Sequence, residues 1–341
     1  MNFLNQRRQT VLAIVVQEYI ATAQPVGSKA VVDEYAFKIS PATIRNEMKA
    51  LEEQGYLTHP HTSAGRVPTE EGYRYFVQHL LPDQPLTQED QVTIQHLFHQ
   101  VGRESDQWAQ LAAAVLAHAS QMGALVTPLR SERCRFKHVE LVEVREGLVL
   151  LVLVLQQGIV RQQTLDMALR ISQEELSTLS NQLNSLLAGL TARNLEQRRP
   201  LLPEWGQHVL TVIANLMARE DNPGNEQIFR EGLSQVLMQP EFSLAEDAQQ
   251  LVTILEQPPL LGSIFSAIRA HDGVQILIGG DGRYEPLRSL SLVLARYGSA
   301  ENASGVLGLV GPVRMPYSRA IPLVRYVAGV LNGLVDQWYS D

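Results

Sequence analysis

Ser40-Pro41-Ala42-Thr43-Ile44-Arg45-Asn46-Glu47-Met48-Lys49-Ala50-Leu51 stands at the centre of a stretch that runs from residue 27 to residue 68. Ser40 is suited to cap a helix, because its hydroxyl can accept from a free amide of the first turn. Pro41 fits the first helical position, where no amide donor is lost. Ile44, Met48 and Leu51 recur at i, i+4 and i+7 and so share one buried face. Gly55 follows as a C-terminal stop. The spacing predicts a helix over 41–54. Its other faces carry Thr43, Arg45, Asn46 and Lys49. Arginine and lysine suit guanine edges or phosphate, asparagine suits adenine, and threonine suits the thymine methyl. The helix reads as one that enters a DNA major groove.

The flanks agree with that reading. Ser28 caps a shorter helix over 28–35, whose Val31 and Val32 can pack on the first; two short helices at this spacing make a helix-turn-helix. Beyond the second helix, residues 56–59 read as a strand, 61–65 as a tip and 66–68 as a returning strand. That hairpin is a wing, with Ser63 and Arg66 placed to reach a phosphate or a minor groove, and Lys29 is assigned to phosphate. A helix over 69–80, capped by Thr69, leads out of the module. The head is expected to be a winged helix-turn-helix. His59-Pro60-His61 lacks a nearby third metal ligand, so neither a metal nor a cofactor is expected.

Composition sets the wider frame. The chain has 341 residues and 45 % apolar content, enough for two or three packed domains. Its longest apolar run, 148–155, is too short to cross a bilayer. Arg7-Arg8 followed by the apolar run 11–16 imitates a leader, but Gln17 and Glu18 break it, and a first helix over 5–21 fits better. The single cysteine, Cys134, excludes an internal disulfide and a cysteine-based zinc site, which points to the cytoplasm. The net charge of −8 is unevenly spread: residues 1–80 hold eight basic and eight acidic residues, so the acidic surplus lies elsewhere. A neutral head with local basic groups suits specific DNA reading over indiscriminate binding.

Pro82-Asp83-Gln84-Pro85 marks a linker. Helices are expected over 88–102 and 106–122, then a strand meander over 138–144, 148–155 and 159–165. Helices follow over 172–190, 204–219, 231–238 and 244–256, strands over 274–278, 289–296 and 305–310, and a last helix over 317–338. Three lone strands are marginal, so a single α+β domain with an antiparallel sheet, interrupted by a mostly helical insertion, is expected in preference to the rival arrangement of two separate sheets. Gly305, Gly308 and Gly311 lie three apart in an apolar strand and favour close packing over a phosphate loop. No catalytic constellation is present, so an enzyme is not expected. A ligand-sensing regulator is the alternative to a DNA-bound repressor.

Several blocks carry a family resemblance. Pro25-Val26-Gly27-Ser28, residues 40–48, Leu51-Glu52-Glu53-Gln54-Gly55-Tyr56-Leu57 and residues 61–69 resemble the N-terminal signature of the HrcA family, bacterial heat-inducible transcription repressors. Gly311-Pro312-Val313-Arg314-Met315-Pro316-Tyr317 resembles the family's Gly-Pro-x-Arg-Met-x-Tyr segment, and Gln239-Pro240-Glu241-Phe242 also fits. Ile278-Gly279-Gly280-Asp281 departs from the family's Gly-x-Glu-Asn turn. The resemblance implies a homodimer on an inverted-repeat operator called CIRCE upstream of chaperone genes, released on heat stress, with a chaperonin as modulator. It also implies a winged head over 1–81, a linker and helix over 82–105, a GAF-like domain over 106–168 and 241–341, and an inserted dimerising domain over 169–240.

Overall fold

The computed structural model describes residues 4–35, 40–60, 65–102, 105–130, 134–156, 159–167, 170–221, 227–243, 245–255, 257–299 and 303–340. α1 (Gln6–Thr22) starts at Asn5, whose side chain accepts from the Arg8 amide, and it buries Val11, Leu12, Ile14, Val15 and Val16. α2 (Ser28–Tyr35) and α3 (Pro41–Glu53) pack on each other and on α1. β1 (Leu57–Thr58) and β2 (Val67–Pro68) then pair antiparallel, Leu57 opposite Pro68. Val26 and Arg66 bridge through two backbone hydrogen bonds of 2.9 Å, tying the hairpin to the segment before α2. Gly65 makes that approach possible, since a Cβ there would stand 2.4 Å from the Val26 carbonyl oxygen. α4 (Glu70–Tyr75) is capped by the Thr69 hydroxyl and widens into a π turn over Phe76–Leu80.

α5 (Gln88–His99) and α6 (Ser105–Ser120) lead to β3 (Gly123–Val126). The chain then leaves for β4 (Phe136–Arg145), β5 (Leu148–Leu155), β6 (Val160–Asp166), α7 (Gln173–Leu187), α8 (Ala192–Leu195) and α9 (Glu204–Glu220). It returns through β7 (Phe229–Glu231), α10 (Leu233–Leu237), α11 (Ala245–Leu255) and α12 (Pro258–Arg269). β8 (Val274–Ile278), β9 (Leu290–Gly298), β10 (Ser304–Pro312) and α13 (Tyr317–Ser340) close the chain. Five strands form one antiparallel sheet in the order β7-β3-β10-β9-β8. Alternation places its two faces in two cores. Ala124, Val126, Val293, Ala295, Leu307 and Leu309 pack with α6 and α13. Leu125, Leu292, Leu294, Val306 and Val310 pack with α11 and α12.

The preferred single sheet gives way to the rival arrangement of two separate sheets. β4, β5 and β6 form a separate three-stranded sheet. Its inner face, from Val139, Leu141, Val149, Leu151 and Leu153, packs on Leu176, Leu179 and Leu183 of α7 and Val209 and Ile213 of α9. This third core is the physical reason that three strands suffice there. The insertion thus lies between β3 and β7 and is α+β, not mostly helical, and its boundary falls before the meander rather than after it. β3 pairs with one edge of β10 and β9 with the other.

Cys134 opens the insertion, buried, with its amide donating to Asp221 Oδ1 at 2.7 Å. Burial foremost, then the neighbouring Asp221 carboxylate, pushes the thiol up to about 12. The thiol is then held in its unreactive protonated form at pH 8. Iodoacetamide should leave native protein unmodified and label it after denaturation; rapid labelling of the native protein would contradict this burial.

Candidate nucleic-acid interface

α3 is built from the core outward. The Ser40 hydroxyl accepts from the Thr43 amide at 3.2 Å and Pro41 occupies the first turn. Ile44, Met48 and Leu51 are buried, and Gly55 leaves the helix at φ 81°. With this face fixed, the helical repeat sends Arg45, Asn46 and Lys49 outward together, and all three are exposed. Among the described residues nothing holds Arg45 or Asn46. Lys49 Nζ lies 3.8 Å from Glu53 Oε1, with both side chains largely in solvent. Such a pair contributes about 0–1 kcal/mol and gives way readily to a phosphate.

The other predicted residues are placed differently. Thr43 is half-buried, and its hydroxyl lies 3.0 Å from that of Ser40, so it serves the cap. Lys29 is exposed in the first turn of α2. The Arg66 guanidinium is turned onto Glu52 of α3 at 2.8 Å, and His59 meets the same carboxylate. Arg66 therefore braces the base of the hairpin against α3. Ser63 and the hairpin tip, 61–64, lie outside the described residues.

Sequence reasoning missed Arg7 and Arg8. Glu47 lies on α3 and would set a negative charge beside any bound phosphate. Arg8 Nε donates to Glu47 Oε2 at 3.0 Å, and Arg7 Nη1 lies 3.5 Å from Oε1, so α1 neutralises it. The signal was the Arg7-Arg8 pair itself, masked by its likeness to a leader. No group of three His, Cys, Asp or Glu among the described residues is placed to hold a metal ion, and no helix there is long and apolar enough to cross a membrane.

A family model described as HrcA protein C terminal domain matches residues 106–321. The heat-inducible transcription repressor HrcA of Roseiflexus castenholzii is 44 % identical over 345 residues, covering 99 % of this chain and 96 % of that protein. The protein of the same name from Herpetosiphon aurantiacus is 43 % identical over 345 residues, covering 99 % and 97 %. A crystal structure of a hypothetical protein superposes with a TM-score of 0.58 at 25 % identity, covering 98 % of each chain.

Proposed function

This chain belongs to the HrcA family of heat-inducible transcription repressors, and we propose that it holds an inverted-repeat operator of the CIRCE type between two copies of its N-terminal head. The family acts by repressing transcription, not by catalysis. In this reading residues 1–81 are a winged helix-turn-helix: α2 and α3 form the helix-turn-helix, and β1 and β2 the wing. Arg45 and Asn46 read base edges, Thr43 supports the helix start beside them, and Lys49 and Lys29 take phosphate. Ser63 and Arg66 belong to the wing. The observation that carries the proposal is the exposed Arg45-Asn46-Lys49 face, held rigid from behind by buried Ile44, Met48 and Leu51. Twofold symmetry would set two such helices on two half-sites about one helical turn, or a multiple of one, apart. Family membership favours this repressor over the ligand-sensing alternative.

The five-stranded unit is assigned as GAF-like, and the insertion as the dimerising domain. The support is the outer face of the β4-β5-β6 sheet. Its central strand presents Leu148, Leu150, Val152 and Val154 away from the helices, half-buried. Val142 and Val160 flank them, opposite Leu150 and Val154, at 43 % and 49 % exposure. A sheet face with an apolar central strand and a polar border of this kind suits a second copy of itself. Release on heat stress, with a chaperonin as modulator, completes the proposal.

Salt dependence tests the phosphate assignment. Lys49→Ala should weaken binding nearly equally on all sequences and lower the slope of log affinity against log salt by about 1 per half-site. A loss confined to one operator position, with the slope unchanged, would make Lys49 a base reader instead.

A further inference from the structure

Of the three C-terminal segments singled out in the sequence, 311–317 and 278–281 bond directly to the head, and 239–242 joins them through Arg314. Arg314, in the turn between β10 and α13, is only 11 % exposed. Its Nε and Nη2 grip both oxygens of Glu241, with Nη2 at 3.2 Å from Oε2, and Nη2 also donates to Gln239 Oε1 at 2.8 Å. Its remaining nitrogen, Nη1, donates to the Ile20 carbonyl at 3.1 Å. Ile20 lies in the last turn of α1, where carbonyls lack helical partners and the helix dipole favours a cation. One guanidinium therefore ties the end of a head helix to two segments of the C-terminal unit.

A second arginine works in the opposite direction. Arg74 of α4 donates from Nε to Asp281 Oδ1 at 2.8 Å and from Nη2 to the Ile278 carbonyl at 3.3 Å. The receiving turn is shaped for the contact: Gly279, Gly280 and Asp281 all have positive φ, and a Cβ on Gly279 would stand 2.3 Å from the Glu70 carboxyl carbon. Between the two arginines Tyr73 and Tyr317 meet at 6.1 Å between ring centres, and the buried core runs continuously from the head into the C-terminal unit. The head is docked at two separated points with packed aromatics between them. Two points and a filled gap fix an angle, where one point would leave a pivot.

We propose that Arg314 and Arg74 are positioning residues for operator recognition: they lock the head at one angle on the C-terminal unit and thereby set the half-site separation the protein accepts. This rests on the two-headed operator reading above. One added base pair rotates a half-site by about 34° and moves it about 3.4 Å, so a locked pair of heads tolerates little change in spacing. A loosened pair tolerates more, at the cost of preorganisation. Neither arginine lies on the exposed face of α3, so binding of one head to one half-site should not depend on them.

The test joins two readouts on full-length protein. The first is affinity for operators whose spacer is changed by one to three base pairs in either direction, and for a single half-site duplex. The second is the distance distribution between spin labels at Gln6→Cys on the head and Ser266→Cys on α12, in chains diluted with unlabelled protein. Wild type should give one narrow distance and lose about tenfold or more affinity on a one-base-pair change, about 1.4 kcal/mol. Arg314→Met and the more exposed Arg74→Met should broaden the distance and flatten the spacing profile, with half-site affinity unchanged within about twofold. Arg314→Lys should restore part of the selectivity. A distance that stays narrow in both methionine variants overturns the proposal. So does an equal loss at every spacing and on the half-site. A distance that broadens while wild type is blind to spacing rejects the operator reading, and with it the spacing role, but leaves the two-point lock standing.

Discussion

Arg45→Ala is expected to cost about 1–3 kcal/mol at each half-site and to relax sequence preference at one base position in each. Because the proposed repressor presents the residue twice, the loss on the intact operator is about 2–6 kcal/mol. The argument is local. Arg45 shares its face with Asn46 and Lys49, it is exposed, and no carboxylate among the described residues competes for it. Stability should be unaffected, because the face that holds α3 in place is formed by Ile44, Met48 and Leu51. Thermal melting and operator titration of the same preparation separate the two effects. A uniform loss over all sequences would make Arg45 a phosphate contact, and no loss would remove α3 from the recognition role.

Val152→Glu is expected to abolish self-association and to lower operator affinity by about 10²–10⁴-fold, the avidity lost when two linked heads become one. Val152 is central on the outer face of the meander, opposite Glu140 on β4 and Gln162 on β6. A carboxylate there would sit beside Glu140 and face its own symmetry copy, which costs both desolvation and repulsion. The fold of the insertion should survive, since its core is on the other face, with Leu151 and Leu153 fully buried against the helices. Sedimentation at micromolar concentration gives the direct reading. A variant that sediments like wild type would move the interface elsewhere.

The head was legible because its signals are local. Ser40, Pro41, the Ile44-Met48-Leu51 repeat and Gly55 bound α3 within one or two residues of its observed ends. Topology beyond it was less so, and one short strand explains most of the difference. β3 is four apolar residues, Gly123–Val126, directly after a helix. Nothing in its sequence marks it as a strand, because its evidence is pairing with β10 about 180 residues later. Without it, the marginal stability of three lone strands ties the meander to the second strand group. α12 escaped for a different reason: Pro258-Pro259 reads as a break, yet proline is tolerated in a first helical turn. In the candidate interface, Arg45, Asn46 and Lys49 stood on one face as their spacing required. The neutralisation of Glu47 by Arg7 and Arg8 could not be read, since it joins residues 39 and 40 positions apart that no periodicity relates. The same holds for Arg314 and Ile20, 294 residues apart.

The most direct measurement is a titration of the purified protein against duplexes carrying the intact and the scrambled inverted repeat, at one salt concentration, with and without chaperonin. The operator reading predicts a preference for the intact repeat of about 10³-fold or more, and stronger binding when chaperonin is added. Equal affinity for the two duplexes under both conditions would contradict it.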